Sequence, residues 1–281
     1  MQSVVVTGVS TGIGWSITQV LIQHGFRVFG SVRKTQDAER LSREFGAAFV
    51  PLTFDITDEA GVGAAARQVR EQLMGETLAG LVNNAGIAVP GPLMHLPADD
   101  FRRQLEVNLV SVLIVTKAFL PLLGTDRSLR GKPGRILNMS SSSGKIGYPF
   151  IGAYATSKHG LEGFSESLRR ELMLYGIDVI IIGPGSVATP IWDKAEQSDL
   201  VSLYKDTEYA EAITRSVGSM ISMGRNGLPA EKVGEAVLRA LTTPRPRVRY
   251  AVGSRSMGRF LRQLLPKRMI DRFIAKNLGF K

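Results

Sequence analysis

The sequence predicts an α/β protein built on a doubly wound, seven-stranded parallel sheet with helices on both faces. Short apolar runs rich in Val and Ile alternate with longer stretches of helical periodicity. This alternation is typical of buried parallel strands joined by crossover helices. The 281 residues, 44% of them hydrophobic, are also enough to bury such a sheet in one large domain. Right-handed crossovers would place ligands at the carboxyl ends of the strands.

The predicted elements follow one another in a regular order. Seven apolar runs are predicted as strands: Val4–Thr7, Arg27–Val32, Ala48–Thr53, Leu78–Val82, Arg135–Met139, Asp178–Ile182 and Val248–Val252. Six longer periodic stretches are predicted as helices: residues 13–23, 37–45, 58–73, 98–122, 151–175 and 229–242. Five residues come just after predicted strands and are expected to share one ligand site: Thr7, Asp55, Asn84, Ser141 and Pro184.

Two segments stand apart from this alternation. Residues 186–228 form a connection rich in Gly, Met and polar residues, and connections of this length are usually functional, often as lids. Residues 254–281 follow the last strand as a C-terminal extension. We therefore expect one domain over residues 1–253, with a substrate lid at about 186–228, and a separate extension over 254–281.

The C-terminal extension is basic and amphipathic. The whole chain has 35 Lys and Arg and 25 Asp and Glu, a formal charge of +10. Residues 244–281 contain eleven of the basic residues and one of the acidic residues, so the net positive charge lies at this end. Apolar residues recur in the extension at helical steps of three and four: Met257, Phe260, Leu261, Leu264, Leu265, Met269, Ile270, Phe273, Ile274 and Leu278. Pro266 is expected to divide them into two helices. Such a segment either packs on the protein or makes a peripheral membrane contact, and both alternatives stay open.

Composition argues against several classes of protein. The chain has no Cys, so it has no disulfide, thiolate metal site or cysteine nucleophile, and its three scattered His predict no metal site. The basic residues come without an aromatic-rich or zinc-binding module, so no nucleic-acid partner is expected. The longest apolar run, Leu109–Leu123, is interrupted by Lys117 and Pro121. We expect no signal peptide before the first strand. We expect a cytoplasmic protein that does not span a membrane.

A glycine-rich turn lies directly after the first strand and leads into the first helix. Gly8, Gly12 and Gly14 have the spacing G-x-x-x-G-x-G. Glycine lets backbone N–H groups approach a phosphate, and the N-terminus of a helix adds partial positive charge. The turn therefore indicates a phosphate-bearing ligand, with a tight strand–helix turn that binds nothing as the alternative.

The stretch Tyr154-Ala-Thr-Ser-Lys158 is the strongest indication of chemistry. Tyr154 and Lys158 are four residues apart and share one helix face. A nearby cation favours the phenolate and should lower the pKa of Tyr154 from about 10 toward the working pH. A phenol tuned in this way can act as a general acid or base. Together with Ser141, thirteen residues upstream, and the glycine turn, the stretch indicates hydride transfer on a nicotinamide cofactor.

These features together resemble the short-chain dehydrogenase/reductase family over roughly residues 3–253. The resemblance lies in seven motifs in family order: Thr7-Gly8 to Gly14, Asp55-Ile56-Thr57-Asp58, Asn83-Asn84-Ala85-Gly86, Asn108, Ser141, Tyr154 with Lys158, and Pro184-Gly185-Ser186-Val187-Ala188-Thr189-Pro190. It implies a single Rossmann-like, dinucleotide-binding catalytic domain. It also implies four catalytic residues, Asn108, Ser141, Tyr154 and Lys158, with Ser142 as the alternative if the register slips by one.

The resemblance also implies which residues bind the cofactor: Gly8, Ser10, Gly12, Ile13, Gly14, Arg33, Asp55, Ile56, Asn84, Ala85, Gly86, Tyr154, Lys158, Pro184, Gly185, Val187 and Thr189. By this resemblance Asp55 would accept from the adenine amino group, and Asn84 would face the adenine-side ribose. Lys158 would bind the nicotinamide ribose. Asn108 would hold a water linked to Lys158, or it would be a purely structural hydrogen-bonding group.

The end of the second strand bears on the choice of cofactor. Val32 occupies the position of the acid that selects NAD in the family, and Arg33 occupies the position where NADP-selecting members carry arginine. An arginine there accommodates the 2′-phosphate, which favours NADP(H). NAD is the alternative, because position 11 holds threonine, whereas many NADP-selecting members have a second basic residue there. If the protein uses NAD, Arg33 and Lys34 would be solvated charges of the loop.

The implied activity is that of an alcohol dehydrogenase or carbonyl reductase. Apolar residues of the lid favour a lipophilic substrate: Ile191, Trp192, Leu200, Leu203, Tyr204, Met220, Ile221 and Met223. Gly30-Ser31-Val32-Arg33-Lys34 and the long C-terminus are similar to the retinol and hydroxysteroid dehydrogenase branch. Family members often form homodimers or homotetramers through two long helices, here about 98–122 and 151–175. The alternatives are a sugar-nucleotide epimerase or dehydratase and a non-catalytic cofactor-binding sensor or structural protein.

Overall fold

The sheet predicted from the sequence is present in the computed structural model, which describes residues 1–196, 199–253 and 266–280. Its strands are β1 (Ser3–Val6), β2 (Arg27–Val32), β3 (Phe49–Thr53), β4 (Gly80–Asn83), β5 (Arg135–Met139), β6 (Asp178–Pro184) and β9 (Arg249–Val252). They pair in parallel in the order β3-β2-β1-β4-β5-β6-β9. The predicted seven-stranded parallel sheet is confirmed.

The order of the strands reverses between β1 and β4. β1, β2 and β3 progress toward one edge of the sheet, whereas β4, β5 and β6 progress toward the other. Connections on the two sides therefore leave a crevice at the carboxyl ends of β1 and β4, where open α/β sheets bind their ligands. Val4, Val5 and Val6 are all fully buried, because helices cover both faces of the strand.

Seven helices of the described chain belong with this sheet: α1 (Gly12–Gln23), α2 (Thr35–Phe45), α3 (Glu59–Gln72), α4 (Ala98–Leu105), α5 (Ser111–Phe119), α6 (Gly152–Glu171) and α10 (Glu231–Thr242). Short 3-10 turns lie at Gly46–Ala48, Leu120–Leu123, Ser142–Gly144 and Leu172–Tyr175. Helix α1 packs closely on α10, where a side chain at Gly234 would meet Val20. Buried side chains of α3 and α5 belong to one apolar cluster, which also contains Val5 of β1 and Phe29 of β2.

Helices α4 and α5 form one helical stretch, joined by a π-helical turn at Glu106–Val110. Ala98–Leu123 is long and apolar enough, by length and composition alone, to cross a membrane. The expectation that no segment would qualify is therefore corrected, because Pro121 lies in the last 3-10 turn and does not break the helix earlier. A core helix passes the same test, and Val115 and Phe119 are buried here, so one such helix is weak evidence of a membrane span.

The chain divides into two compact units. The first comprises Met1–Pro184 and Pro229–Val252 and carries the seven-stranded sheet; the second comprises Gly185–Leu228 and Gly253–Lys281. The division into one domain over residues 1–253 and an extension over residues 254–281 stays a prediction. The lid segment and the C-terminal extension, which the sequence presented as separate pieces, belong to the same unit.

The second unit is mostly helical. Its described elements are β7 (Val187–Ala188), α7 (Ile191–Glu196), α8 (Leu200–Leu203), α9 (Ala210–Arg225) and α11 (Lys267–Leu278), and β7 pairs with a short strand β8 (Leu228–Pro229). The Trp192 indole donates to the Val187 carbonyl at 2.7 Å. Helix α11 packs on α9, and Phe280 meets Tyr209 edge-on with ring centres 6.2 Å apart. Five apolar residues of the predicted extension lie outside the described residues: Met257, Phe260, Leu261, Leu264 and Leu265.

Candidate active site

Close backbone contacts shape the glycine-rich turn between β1 and α1. Gly8 has a φ of +70°, a left-handed conformation, and a Cβ there would lie 2.9 Å from the Cα of Ala85. A Cβ at Gly14 would overlap the Gly8 carbonyl oxygen and crowd the Asn84 amide. Glycine is therefore required at both positions, because the turn packs tightly on itself and on the loop after β4.

Thr7 and Asn84 hold this turn and the neighbouring loop together. The Thr7 hydroxyl accepts from the backbone N–H groups of Asn84 at 2.9 Å and Ala85 at 3.0 Å. The Asn84 amide donates to the carbonyls of Thr7 at 2.9 Å and Gly8 at 3.1 Å. Both amide protons of Asn84 are thus engaged with the backbone. Asn84 braces the turn, a role that the resemblance did not imply, and its contact with the ribose stays a prediction.

The start of α1 fits a bound phosphate. Within the described residues no side chain caps the helix at Thr11, and its first turn has no acidic residue. The first N–H groups of the helix and its partial positive charge are therefore open to an anion. Glycine at positions 8, 12 and 14 adds no side chain to this turn. This donor set matches the pyrophosphate of a dinucleotide. The Gly8 N–H itself donates to the Ser31 hydroxyl at 2.9 Å, a contact that the sequence did not suggest.

The carboxyl ends of β2 and β3 present Arg33 and Asp55. Their side chains are 77% and 47% exposed and approach to 4.0 Å. Hydrogen bonds from the backbone and hydroxyl of Thr57, with a smaller contribution from Arg33, hold the pKa of Asp55 below its usual value. Val32, at the position of an NAD-selecting acid, is buried. The side chain of Asp58, rather than Asp55, caps α3.

Asn108 lies on the π turn and is almost fully buried. Its Oδ1 accepts from the Ile87 N–H at 2.9 Å. Its Nδ2 donates to the Ile87 carbonyl at 2.9 Å and to the Ser157 hydroxyl at 3.2 Å. These bonds fasten the loop after β4 to the long helix and to α6, because a buried amide must be satisfied. Such contacts are expected if Asn108 is a purely structural hydrogen-bonding group. Its role in holding a water linked to Lys158 stays a prediction.

Helix α6 brings Tyr154 and Lys158 onto one face, as their four-residue spacing predicts. The Lys158 Nζ lies 5.7 Å from the centre of the Tyr154 ring and donates to the Met139 carbonyl at 2.7 Å. Ser141 lies beside the Tyr154 phenol, and its side chain tends to lower the pKa of that phenol. The Ser141 hydroxyl also accepts from the Ser143 N–H at 3.1 Å, which holds the loop after β5 in a tight turn. Ser141, Tyr154 and Lys158 thus form one group in the first unit.

Burial governs the ionisation of this group. It raises the pKa of Tyr154 above its usual value, and the hydrogen bond with Ser141 opposes that rise only in part. Burial also lowers the pKa of Lys158 from 10.5 to about 8. The expected lowering of the Tyr154 pKa by Lys158 is therefore wrong for this structure, since the amine is itself desolvated and points at the Met139 carbonyl. Tyr154 is consequently protonated near neutral pH.

The other predicted cofactor residues fall into two groups. One group lies in the first unit, after β1, β3 and β4 or at the end of β6: Ser10, Gly12, Ile13, Ile56, Ala85, Gly86 and Pro184. The other group belongs to the second unit: Gly185, Val187 and Thr189. The part of this second group in cofactor binding stays a prediction.

Comparison with known families gives the same answer as the geometry. The family model described as short chain dehydrogenase matches residues 2–200, well over half of the chain. The protein is a short-chain dehydrogenase/reductase.

Individual relatives of this short-chain dehydrogenase/reductase match nearly the whole chain. It is 37% identical over 279 residues to NADPH-dependent 3-dehydrocapnine reductase of Ornithobacterium rhinotracheale, covering 99% of this chain and 98% of that protein. It is 33% identical over 264 residues to retinol dehydrogenase 7 of Rattus norvegicus, covering 89% and 80%. The solved structure of a short-chain dehydrogenase from Streptomyces avermitilis is similar with a TM-score of 0.76 and 25% identity, covering 99% of this chain and 97% of the other.

These similarities confirm the family and the enzyme class predicted from the sequence. The protein is an NAD(P)-dependent oxidoreductase that acts on a small substrate, and its relatives include retinol dehydrogenases.

Proposed function

We propose that this protein is an NADP(H)-dependent oxidoreductase that interconverts a lipophilic alcohol and its ketone or aldehyde, with Tyr154 as general acid and base. The observation that carries the proposal is the grouping of Ser141, Tyr154 and Lys158 in the first unit. The glycine turn and the uncapped start of α1 fit the dinucleotide. When bound, the nicotinamide supplies or accepts the hydride.

In the reductive direction Tyr154 holds the proton that the carbonyl oxygen needs. Burial keeps the pKa of the phenol high, so the proton is present at neutral pH, as a general acid requires. Ser141, which lies beside the phenol, is suited to donate to the same oxygen while negative charge develops on it.

Lys158 lies beside the phenol as a largely cationic amine. Its pKa of about 8 leaves most of the amine cationic at pH 7. This amine lies 5.7 Å from the centre of the Tyr154 ring. By family resemblance Lys158 also binds the nicotinamide ribose, and Asn108 anchors the water through which the proton is replaced.

Arg33 is the basis for preferring NADP(H) over NAD. Its guanidinium is largely exposed at the end of β2, where Val32 replaces an acid. A charge-assisted contact with the 2′-phosphate is worth about 1.5–3 kcal/mol, which corresponds to a preference of roughly tenfold or more. Asp55 lies 4.0 Å from Arg33 and competes for the guanidinium, so the lower end of this range is expected. A relative at 37% identity is named as NADPH-dependent.

Apolar surface supports a lipophilic substrate. In the first unit a cavity of about 390 Å³ is lined by Leu93, Leu96, Ala98, Phe101 and Arg102. Leu93 lies directly over Gly152, two residues before Tyr154, which brings this cavity near the start of the catalytic helix. The volume suits a small apolar molecule. One relative is named for retinol, an apolar alcohol.

The test is NADPH consumption over a panel of aldehydes, ketones and quinones, followed by substitutions on the best substrate. Tyr154→Phe should lower turnover by at least about a hundredfold, while the NADPH dissociation constant stays within about twofold. Ser141→Ala should lose most activity. The matched control Ser142→Ala should keep its activity, because Ser141 is the serine whose side chain influences the pKa of the phenol.

Each outcome has a definite meaning. Near-normal turnover in Tyr154→Phe would remove Tyr154 from the chemistry, and the reverse serine pattern would move the catalytic register to Ser142. Equal turnover with NADH and NADPH would favour the NAD alternative. NADPH binding without turnover of any compound in the panel would favour a non-catalytic sensor.

A further inference from the structure

Glu162 is a buried carboxylate that the proposed chemistry does not use. It lies on α6, four residues after Lys158 and on the same helix face. Its side chain is only 7% exposed. Buried acidic residues are rare unless they are paired, so the partners of Glu162 indicate what it does.

Both carboxylate oxygens of Glu162 bind the loop that carries Ser141. Oε1 accepts from the Ser140 hydroxyl at 2.7 Å. Oε2 pairs with the Lys145 ammonium at 2.9 Å. Ser140 and Lys145 flank the 3-10 turn that Ser141 opens. Glu162 therefore fastens this loop on both sides of the serine.

Arg249 completes the arrangement from strand β9. Its Nε donates to both oxygens of Glu162 at 3.1 Å, and its Nη2 lies 3.1 Å from Oε1. The same Nη2 donates to the backbone carbonyl of Ser141 at 3.3 Å. Gly183 leaves the space for the guanidinium, since a Cβ there would overlap it. Arg249 thus connects Glu162 directly to the backbone of the serine.

The charge on Glu162 is maintained by these partners. Burial by itself raises the pKa of the carboxyl, but hydrogen bonds from Arg249, Ser140 and Lys145 outweigh it and leave the pKa below the usual value. Ionised Glu162 accepts from all of these donors at neutral pH.

We propose that Glu162 and Arg249 form a positioning pair that holds the Ser141 loop against the catalytic helix, so that the serine hydroxyl meets the Tyr154 phenol. Neither residue touches the reacting atoms; both act through Ser141. The inference rests on the proposed function, in which Ser141 stabilises charge on the substrate oxygen. Displacement of a catalytic group by about 1 Å can lower turnover by about a hundredfold, so the pair should matter for kcat.

The experiment is a double-mutant cycle between Glu162→Gln and Ser141→Ala, with turnover and the NADPH dissociation constant measured for each protein. Glu162→Gln keeps the shape of the side chain and removes its charge. We expect its kcat to fall about tenfold to a hundredfold, with NADPH affinity within about twofold of wild type. In the Ser141→Ala background the same change should cost less than about twofold, because a residue that acts through Ser141 has nothing left to position.

A control and a second variant guard against simple misfolding. Glu166→Gln alters the next turn of α6, where Glu166 is exposed and paired with Arg170, and should leave kcat unchanged. Arg249→Lys keeps a cation beside Glu162 but cannot reach both the carboxylate and the Ser141 carbonyl, so its kcat should fall about fivefold or more with a normal melting profile.

Equal losses from Glu162→Gln in both backgrounds would overturn the proposal, because they would show an effect independent of Ser141. Wild-type kcat in Glu162→Gln or Arg249→Lys, beside an impaired Ser141→Ala, would overturn it while leaving the proposed function intact. Full activity in Ser141→Ala itself would remove the serine from the chemistry and overturn both.

Discussion

Lys158 should destabilise the folded protein at neutral pH, and this cost should diminish as the pH rises. Burial lowers the pKa of its amine from 10.5 to about 8. At 1.36 kcal/mol per pKa unit, this lowering of the pKa corresponds to roughly 3 kcal/mol. Between pH 8 and 10.5 the unfolded chain binds a proton that the folded chain has released. The stability of the wild type therefore gains from this residue as the pH rises through that window, and the full cost is present below pH 8.

The perturbation that reveals this cost is Lys158→Met, which keeps most of the length of the side chain and removes the charge. The variant also loses the 2.7 Å hydrogen bond to the Met139 carbonyl, which costs about 1–3 kcal/mol if that buried group is left unpaired. At pH 7 the variant should thus be more stable than the wild type by about 0–2 kcal/mol. This advantage should shrink by about 2 kcal/mol between pH 8 and 9.5, although the variant has lost its activity.

Urea unfolding of both proteins at several pH values from 7 to 9.5 measures the difference directly. The matched control is Lys117→Met, because Lys117 lies on an exposed face of α5. The free energy of unfolding of this variant should follow that of the wild type at every pH. A stability difference between Lys158→Met and wild type that stays constant from pH 7 to 9.5 would refute the reasoning, since it would mean that the buried amine keeps its proton throughout.

Three further predictions concern the cofactor site and the extension. Val32→Asp combined with Arg33→Ala should invert a wild-type preference for NADPH of about tenfold, measured as kcat/KM for both cofactors; equal dissociation constants in the wild type would contradict the assignment. Gly14→Ala should weaken NADPH binding about tenfold or more by forcing a methyl group onto the Gly8 carbonyl, and unchanged binding in a fluorescence titration would contradict it. Deletion of residues 254–281 removes α11 from α9, so the melting temperature or substrate affinity should fall; salt-sensitive liposome binding that is lost on deletion without a change in stability would instead support the membrane alternative.

Much of the first unit could be predicted because its signals are local. β-branched runs and helical periodicity depend on near neighbours in the chain, and they predicted the seven strands to within two residues at each start. Gly8 and Gly14 indicate a tight turn in which a larger residue would clash. The four-residue spacing of Tyr154 and Lys158 places both on one helix face. Thr7 was placed at the site by the same reasoning, but its bonds to the loop after β4 join residues more than seventy positions apart.

The features that sequence reasoning missed depend on contacts between distant segments. The π turn at Glu106–Val110 has no periodic signature of its own, yet it is where Asn108 reaches Ile87. The sequence predicts the lid segment and the extension as separate segments, because nothing in either shows that α11 packs on α9. Glu162 and Arg249 lie 87 positions apart, and either alone has the sequence appearance of an ordinary surface charge.

By itself the sequence determined the order of strands and helices, the glycine turn and the Tyr–Lys helix face, since each follows from residue size, chain periodicity or backbone conformation within a few positions. Only the tertiary structure decided the ionisation of the active-site group. The spacing predicts that Lys158 lowers the pKa of Tyr154. In the structure, burial instead raises the pKa of Tyr154 and lowers the pKa of Lys158 to about 8. Desolvation depends on everything packed around a side chain, and that environment is assembled from segments far apart in the chain.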